Sequence, residues 1–193
     1  MPMDDEALMA RIAAGDHDAF GELVRRYEAK ARRYVYRFFR DTGVAEDIAQ
    51  EVFLRIFRSA DRYEPSGRFS TYFYRIAANL CYDRLRMLKR RGSTVQNTVD
   101  NVSLDQTENA DVRPRFDAPD RGVERSEERA LVRGAIEALP PALSQIVALR
   151  ELEGLRYKEI AAALGVRVNE VKVRLHRARK LLRKELRAVL SGS

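Results

Sequence analysis

Hydrogen-bonding and cationic side chains recur at regular intervals near the C-terminal end of the sequence. Their spacing would place Asn169, Lys172, His176, Arg177 and Lys180 together on the outward half of a helix, which also carries the apolar Val173, with Glu170 beside them. Amide, imidazole and guanidinium groups can hydrogen-bond base edges in a DNA groove, and the cations can also contact phosphates. The pattern therefore predicts a helix that reads duplex DNA, with its N-terminal residues nearest the bases.

The same stretch contains the elements that would hold such a helix in place. Apolar residues recur at spacings of four, three and four and would pack inward: Val171, Leu175, Ala178 and Leu182. Upstream, Ala161 is small enough for two helices to cross closely, and Gly165 suits the positive backbone angle at a helix end. These features predict a helix-turn-helix. A solvated basic helix is the plainer alternative, but it explains neither the small residue nor the turn.

A second group of side chains combines aromatic rings, cations and an amide on one predicted helix. At helical spacing they form a single stripe: Tyr72, Arg75, Asn79, Tyr82 and Arg86. Rings offer a stacking surface to unpaired bases, cations follow the backbone, and an amide can bind a base edge. The stripe predicts a surface for single-stranded nucleic acid. Core tyrosines beside solvated arginines are the alternative interpretation, and the stripe alone leaves it open.

A third group lies on the helix predicted for residues 45–58. Ala45, Ile48, Ala49, Val52 and Ile56 share an apolar face that would pack into a core. The opposite face is polar with one apolar residue in its middle: Asp47, Gln50, Glu51, Leu54 and Arg58. Such a surface suits docking to another protein, although an ordinary solvated face has the same pattern.

The elements that carry these groups are all predicted to be helices. Apolar residues keep helical spacing and no strand-like alternation competes with it, so we expect an all-α fold of two small helical domains. Gly15 and Gly43 predict helix ends, and Asp18 and Ser70 predict helix starts. Residues 92–125 lose the periodicity and are rich in polar residues and proline. This segment predicts a flexible linker between domains at 1–91 and 126–193.

The composition limits the class of protein and its surroundings. The 193 residues carry a formal net charge of +7, which favours a polyanionic partner such as nucleic acid. Cys81 is the single cysteine, so no internal disulfide can form, and His17 and His176 lie far from it in sequence. We therefore expect neither a metal site nor a cofactor. The acidic N-terminus lacks an apolar signal segment, and no stretch is long enough for membrane insertion, which predicts a cytoplasmic protein.

Taken in order, these motifs resemble those of bacterial alternative sigma factors of the extracytoplasmic-function group, which contain only sigma regions two and four. The resemblance to region two rests on residues 14–16, 19–20, 25–27, 45–53 and 69–79. The resemblance to region four rests on residues 138–141, 149–150, 157–165 and 171–179. The match covers nearly the whole chain, and such a series in the right order is highly specific.

The resemblance implies a transcription initiation factor that binds core RNA polymerase and directs it to a subset of promoters. The helix with Asp47, Gln50 and Glu51 would dock on the β′ clamp coiled coil, and the β flap and an anti-sigma factor are further expected partners. Asn79 and Arg75, with the loop at residues 63–68, would capture a flipped base of the melted minus-ten element. The recognition helix would read the minus-thirty-five duplex of the promoter DNA.

Two departures from the family pattern concern DNA reading. Tyr72 stands where a tryptophan is common, and residues 169–173 read Asn-Glu-Val-Lys-Val where Gly-Thr-Val-Lys-Ser is usual. Glu170 places a negative charge close to phosphates. That is unfavourable unless its carboxylate accepts a hydrogen bond from a cytosine amino group or from a neighbouring arginine.

Two other classes of protein are possible on the residues alone. A helix-turn-helix regulator that acts without polymerase is the first, and the aromatic stripe counts against it. A nuclease is the second, but Glu46 and Asp47 lie on different helix faces and do not converge as catalytic carboxylates would.

Overall fold

A computed structural model describes residues 3–65, 67–90, 132, 134–136 and 138–191. All regular secondary structure in these residues is helical, so the expected all-α fold is confirmed. The predicted linker at 92–125 lies outside the described residues. The domain boundaries at 91 and 126 therefore stay predictions.

The first module contains four α-helices, with one 3-10 turn at Ala60–Arg62. The helices are α1 at Asp5–Ala13, α2 at His17–Phe39, α3 at Thr42–Arg58 and α4 at Phe69–Arg90. Helix α2 packs against the other three, and α3 also packs against α4. The module's core contains aliphatic and aromatic side chains from every helix, among them the fully buried Leu23, Val52 and Phe73.

Two helix ends of the first module differ from the sequence prediction. Gly15 follows α1 with a φ of 88°, as expected for a helix end. The other predicted end is wrong, because Gly43 lies in the first turn of α3 and α2 already ends before Arg40. Asp16, not Asp18, caps α2 by accepting a hydrogen bond from the Ala19 amide at 3.0 Å. Arg40 adopts the left-handed conformation that glycine usually supplies, with a φ of 53°.

The second module contains three α-helices after a helical stretch at residues 132, 134–136 and 138. They are α5 at Pro141–Val147, which continues into a π-helical turn at Ala148–Leu152, α6 at Tyr157–Leu164 and α7 at Val168–Ser191. Helices α6 and α7 form the predicted helix-turn-helix. Gly165 between them has a φ of 66°, and Val171, Leu175 and Ala178 of α7 are fully buried, as their spacing predicted.

The two modules are in contact with each other. Helix α6 lies along α4, and α5 contacts α2. Buried residues of both modules belong to one continuous apolar cluster. The sequence predicts two bodies that can move apart, and the structure describes them packed together.

The unusual end of α2 generates a stability prediction. Because a side chain at positive φ strains the backbone, Arg40→Gly should raise the free energy of unfolding by about 0.5–1 kcal/mol. Arg33→Gly is the matched control, since it makes the same change at an exposed position inside α2 and should lower stability by about 1 kcal/mol. Denaturant titration followed by circular dichroism measures both. If both variants lower the free energy of unfolding, the backbone at Arg40 is not strained.

Candidate nucleic-acid and protein-binding surfaces

The predicted reading face lies on the first four turns of α7. Asn169, Lys172, His176 and Lys180 are exposed, whereas Glu170, Val173 and Arg177 are half-buried. The opposite, apolar side of α7 is buried against the rest of the second module. The exposed side therefore presents one amide, one imidazole and two ammonium groups to solvent, all of which can donate to DNA.

Glu170 is held by an arginine of its own helix. The Arg174 guanidinium donates to the Glu170 carboxylate one helical turn away. This ion pair neutralises the negative charge that the sequence places near phosphates, so of the two solutions expected for Glu170 the structure contains the neighbouring arginine. Arg174 also lies close to Tyr82 of α4, and its positive charge acts on that phenol.

The predicted minus-ten face begins with an aromatic group at the start of α4. The rings of Tyr63 and Tyr72 lie 4.9 Å apart, and the Tyr72 hydroxyl is 2.7 Å from the Ser59 hydroxyl. The Arg75 guanidinium lies 5.4 Å from the centre of the Tyr72 ring. Asn79 is exposed one turn further along. The three polar or aromatic groups thus form a continuous surface on which a base could stack and be hydrogen-bonded.

The start of α4 is fixed by a residue that the sequence analysis did not identify. Glu6 of α1 accepts a hydrogen bond from the Phe69 amide at 2.9 Å, which satisfies a free N–H of the first turn of α4. Burial raises the pKa of Tyr63, in the loop just before α4, to about 12, so this phenol stays neutral. A carboxylate 63 residues away in sequence from the amide it caps leaves no local signal.

The two remaining residues of the predicted stripe have partners. Arg86 donates to Asp83 at 2.5 Å and is exposed. Tyr82 is half-buried at the contact with the second module, where the Gln145 amide donates to its hydroxyl at 2.5 Å. Burial raises the pKa of the Tyr82 phenol, and the hydrogen bond from Gln145 and the charge of Arg174 oppose that rise. In this arrangement Tyr82 faces the second module, while Tyr72, Arg75 and Asn79 remain accessible.

The predicted docking face of α3 is open to solvent. Asp47, Gln50 and Arg58 are exposed, and Leu54 keeps 46% of its surface accessible. Glu51 is half-buried and forms an ion pair with Arg55 at 3.1 Å. An exposed leucine surrounded by charged and amide groups fits a protein-binding surface.

A groove between α3 and α4 extends this docking face. It is lined by Val44, Asp47, Ile48 and Glu51 of α3 and by Leu80, Asp83, Arg84, Met87 and Arg90 of α4. Its floor is apolar and its rim is charged. The contribution of α4 was not predicted, because none of the side chains that line the groove from that helix belongs to its aromatic and cationic stripe.

The described residues contain no group of three or more His, Cys, Asp or Glu side chains that could hold a metal ion. Cys81 is buried with a free thiol, and burial raises its pKa, so the thiol stays protonated. Within the same part of the chain, no helix is both long and apolar enough to cross a membrane.

Two family models match the chain in the order that the two modules have. Sigma-70 region 2 matches residues 23–91, and Sigma-70 region 4 matches residues 129–182. These two regions together define sigma factors, which are transcription initiation factors and not enzymes.

Relatives extend the match over nearly the whole length. The RNA polymerase sigma-H factor of Pseudomonas aeruginosa is 33% identical, over 96% of this chain and 95% of that protein. The ECF RNA polymerase sigma-E factor of Escherichia coli K12 is 33% identical, over 93% of each chain. The chain belongs to the ECF sigma factors. The resemblance inferred from its motifs is thereby confirmed, and the protein is an alternative sigma factor.

A solved structure shares the fold. The sigma factor RpoE of Bartonella quintana, solved in complex with the anti-sigma factor NepR, is 19% identical and has a TM-score of 0.61. The alignment covers 87% of this chain and 96% of that one. At this identity the likeness supports the arrangement of helices alone.

Proposed function

We propose that this sigma factor carries out promoter-specific initiation through three surfaces on three different helices. Helix α3 docks on the β′ clamp coiled coil of core RNA polymerase, α4 captures and stabilises the melted minus-ten strand, and α7 reads the minus-thirty-five duplex. The observation that carries the proposal is that Leu54, Asn79 and Lys172, one on each helix, are all exposed beside groups of fitting chemistry. Each surface could occur alone in another class of protein, so the presence of all three in one chain supports the proposal.

The organisation of the chain follows from this division of labour. We assign region two to residues 1–91, the linker to 92–125 and region four to 126–193. The linker would pass toward the RNA exit path, and region four would also contact the β flap. Because its polymerase and promoter are cytoplasmic, the protein acts in the cytoplasm, and we propose an anti-sigma factor as its inhibitor.

Run-off transcription with purified core polymerase on a genomic library tests the whole proposal. Promoter-specific transcripts that depend on this protein are expected. The alternative, a helix-turn-helix regulator that acts without polymerase, requires protection of a DNA site by the chain alone. Protection without core enzyme, combined with an absence of transcripts, would favour that alternative.

Simultaneous replacement of Asp47, Gln50 and Glu51 by alanine should abolish binding to core polymerase. The buried face of α3 is untouched, so the helical circular dichroism spectrum should not change. Glu46→Ala is the control, because it removes one negative charge from an exposed neighbour outside this face. Co-migration with core enzyme on a sizing column measures binding. Wild-type affinity of the triple variant would remove α3 from the docking surface.

Asn79→Ala and Arg75→Ala should each reduce open-complex formation about tenfold, because each removes a group that would bind an unpaired base or its phosphate. Permanganate footprinting reports unpaired thymines and measures the effect. Binding of the same variants to a minus-thirty-five duplex should equal that of the wild type and is the internal control. Open complexes at the wild-type level in both variants would show that this face of α4 does not hold the melted strand.

Lys172→Ala and Arg177→Ala should each cost about 1–3 kcal/mol on the preferred duplex and relax discrimination at one base position. Arg183→Ala and Lys184→Ala are the matched controls, since both residues are exposed beyond the reading turns. Each of these changes should weaken binding to all duplexes alike and should lower the salt dependence of binding by about one charge. Binding to a panel of minus-thirty-five mutants at two salt concentrations separates the outcomes. If Lys172→Ala and Arg177→Ala weaken binding to all duplexes equally, the two residues contact phosphates and do not read bases.

A further inference from the structure

The contact between regions two and four has a buried hydrogen-bonded centre. Gln145 of α5 is fully buried between the modules. Its side-chain oxygen accepts from the Tyr34 hydroxyl of α2 at 2.8 Å, and its side-chain nitrogen donates to the Tyr82 hydroxyl of α4 at 2.5 Å. One amide thus uses both of its ends to join region four to two helices of region two.

Ion pairs surround this centre at the edge of the contact. Lys30 of α2 lies 3.7 Å from the Glu153 carboxylate, and Arg68, just before α4, lies 3.9 Å from the Glu159 carboxylate of α6. Charged and hydrogen-bonding groups can be satisfied by water as well as by each other, so they make separation of two surfaces less costly than a purely apolar contact would. The contact therefore combines the shared apolar cluster with polar groups that water can satisfy once the modules separate.

The proposed function requires the contact to open. The minus-ten and minus-thirty-five elements are about 25 base pairs apart, which is about 85 Å of duplex. A compact chain of 193 residues has a radius of gyration of about 16 Å and is only about 40 Å across. With α6 lying along α4, the two DNA-binding faces cannot reach both elements at once.

We propose that Gln145 is an interdomain latch: region four binds the Tyr34 and Tyr82 side of region two in the free protein, and this contact must break before the promoter is engaged. The latch also occupies Tyr82, one of the residues predicted to contact the minus-ten strand, whereas the docking face of α3 stays exposed. Closure would therefore lower the apparent affinity for promoter DNA in proportion to the fraction of chains that are open. The functional part of this inference rests on the proposed function, whereas the latch itself does not.

Gln145→Ala tests the latch in the full chain without polymerase or DNA. The change removes both hydrogen bonds and deprives the buried Tyr34 hydroxyl of the partner it has in the closed form, so the modules should separate. Small-angle X-ray scattering should then show a radius of gyration larger by several ångströms. Ser144→Ala is the matched control, because Ser144 is equally buried on the same helix and within the described residues its hydroxyl has no hydrogen-bond partner. It should remain as compact as the wild type.

A second variant separates opening from misfolding. Tyr34→Phe removes one hydrogen bond and keeps the ring that packs in region two, so it should expand the chain less than Gln145→Ala does, with an unchanged circular dichroism spectrum. If both variants fold and stay as compact as the wild type, the latch is refuted, whatever their activity. If Gln145→Ala and Ser144→Ala expand the chain by the same amount, the latch is refuted as well.

Promoter binding in the presence of core polymerase then tests the role of the latch as a brake, on a promoter found by run-off transcription. The Gln145→Ala chain should form the promoter complex several-fold more tightly than the wild type, and Ser144→Ala should not. An expanded variant with wild-type promoter affinity would show that the closed form does not restrain the protein. If neither the wild type nor any variant forms a promoter complex with core enzyme, the proposed function fails, while the scattering result still decides the latch.

Discussion

The satisfaction of buried polar groups at the contact between the modules constrains how the described parts of the two modules are arranged. A glutamine side chain removed from water must find both a donor and an acceptor, and Gln145 finds them in two tyrosine hydroxyls of region two. These bonds orient region four, because a rotation of α5 would break both. The positions of α6 along α4, and of the recognition helix beyond it, follow from that constraint.

Helix α4 connects the functions of the molecule. One side packs in the core through Phe73 and Ala77, one exposes Arg75 and Asn79, and one meets region four through Tyr82. Because these faces are all fixed on one helix, a rotation of α4 that moved one of them would move the other two as well. Interactions at its start, such as the Glu6 cap on the Phe69 amide, therefore position both the face that we propose for the melted strand and the contact with region four.

The electrostatics of region four show how a basic helix tolerates an acidic residue. Arg174 neutralises Glu170 within α7, and Arg179 is paired at 2.8 Å with Glu151 of the π-helical turn that follows α5. Lys172 and Lys180 are among the cations that remain exposed, and we propose that these cations attract the phosphates of DNA. The basic residues that are paired within the protein do not add to its positive surface, so the unpaired exposed cations determine where that surface lies.

The sequence by itself determined the helices, the helix-turn-helix and the family, because apolar spacing and turn residues are local signals: Val171 and Leu175 are buried, and Gly165 has the expected positive φ. Local signals failed where another residue took a role, as Arg40 did at the end of α2. Only the tertiary structure decided that Gln145 joins the modules. Its partners lie 111 and 63 residues away in sequence, and periodicity carries no information about which distant surfaces meet.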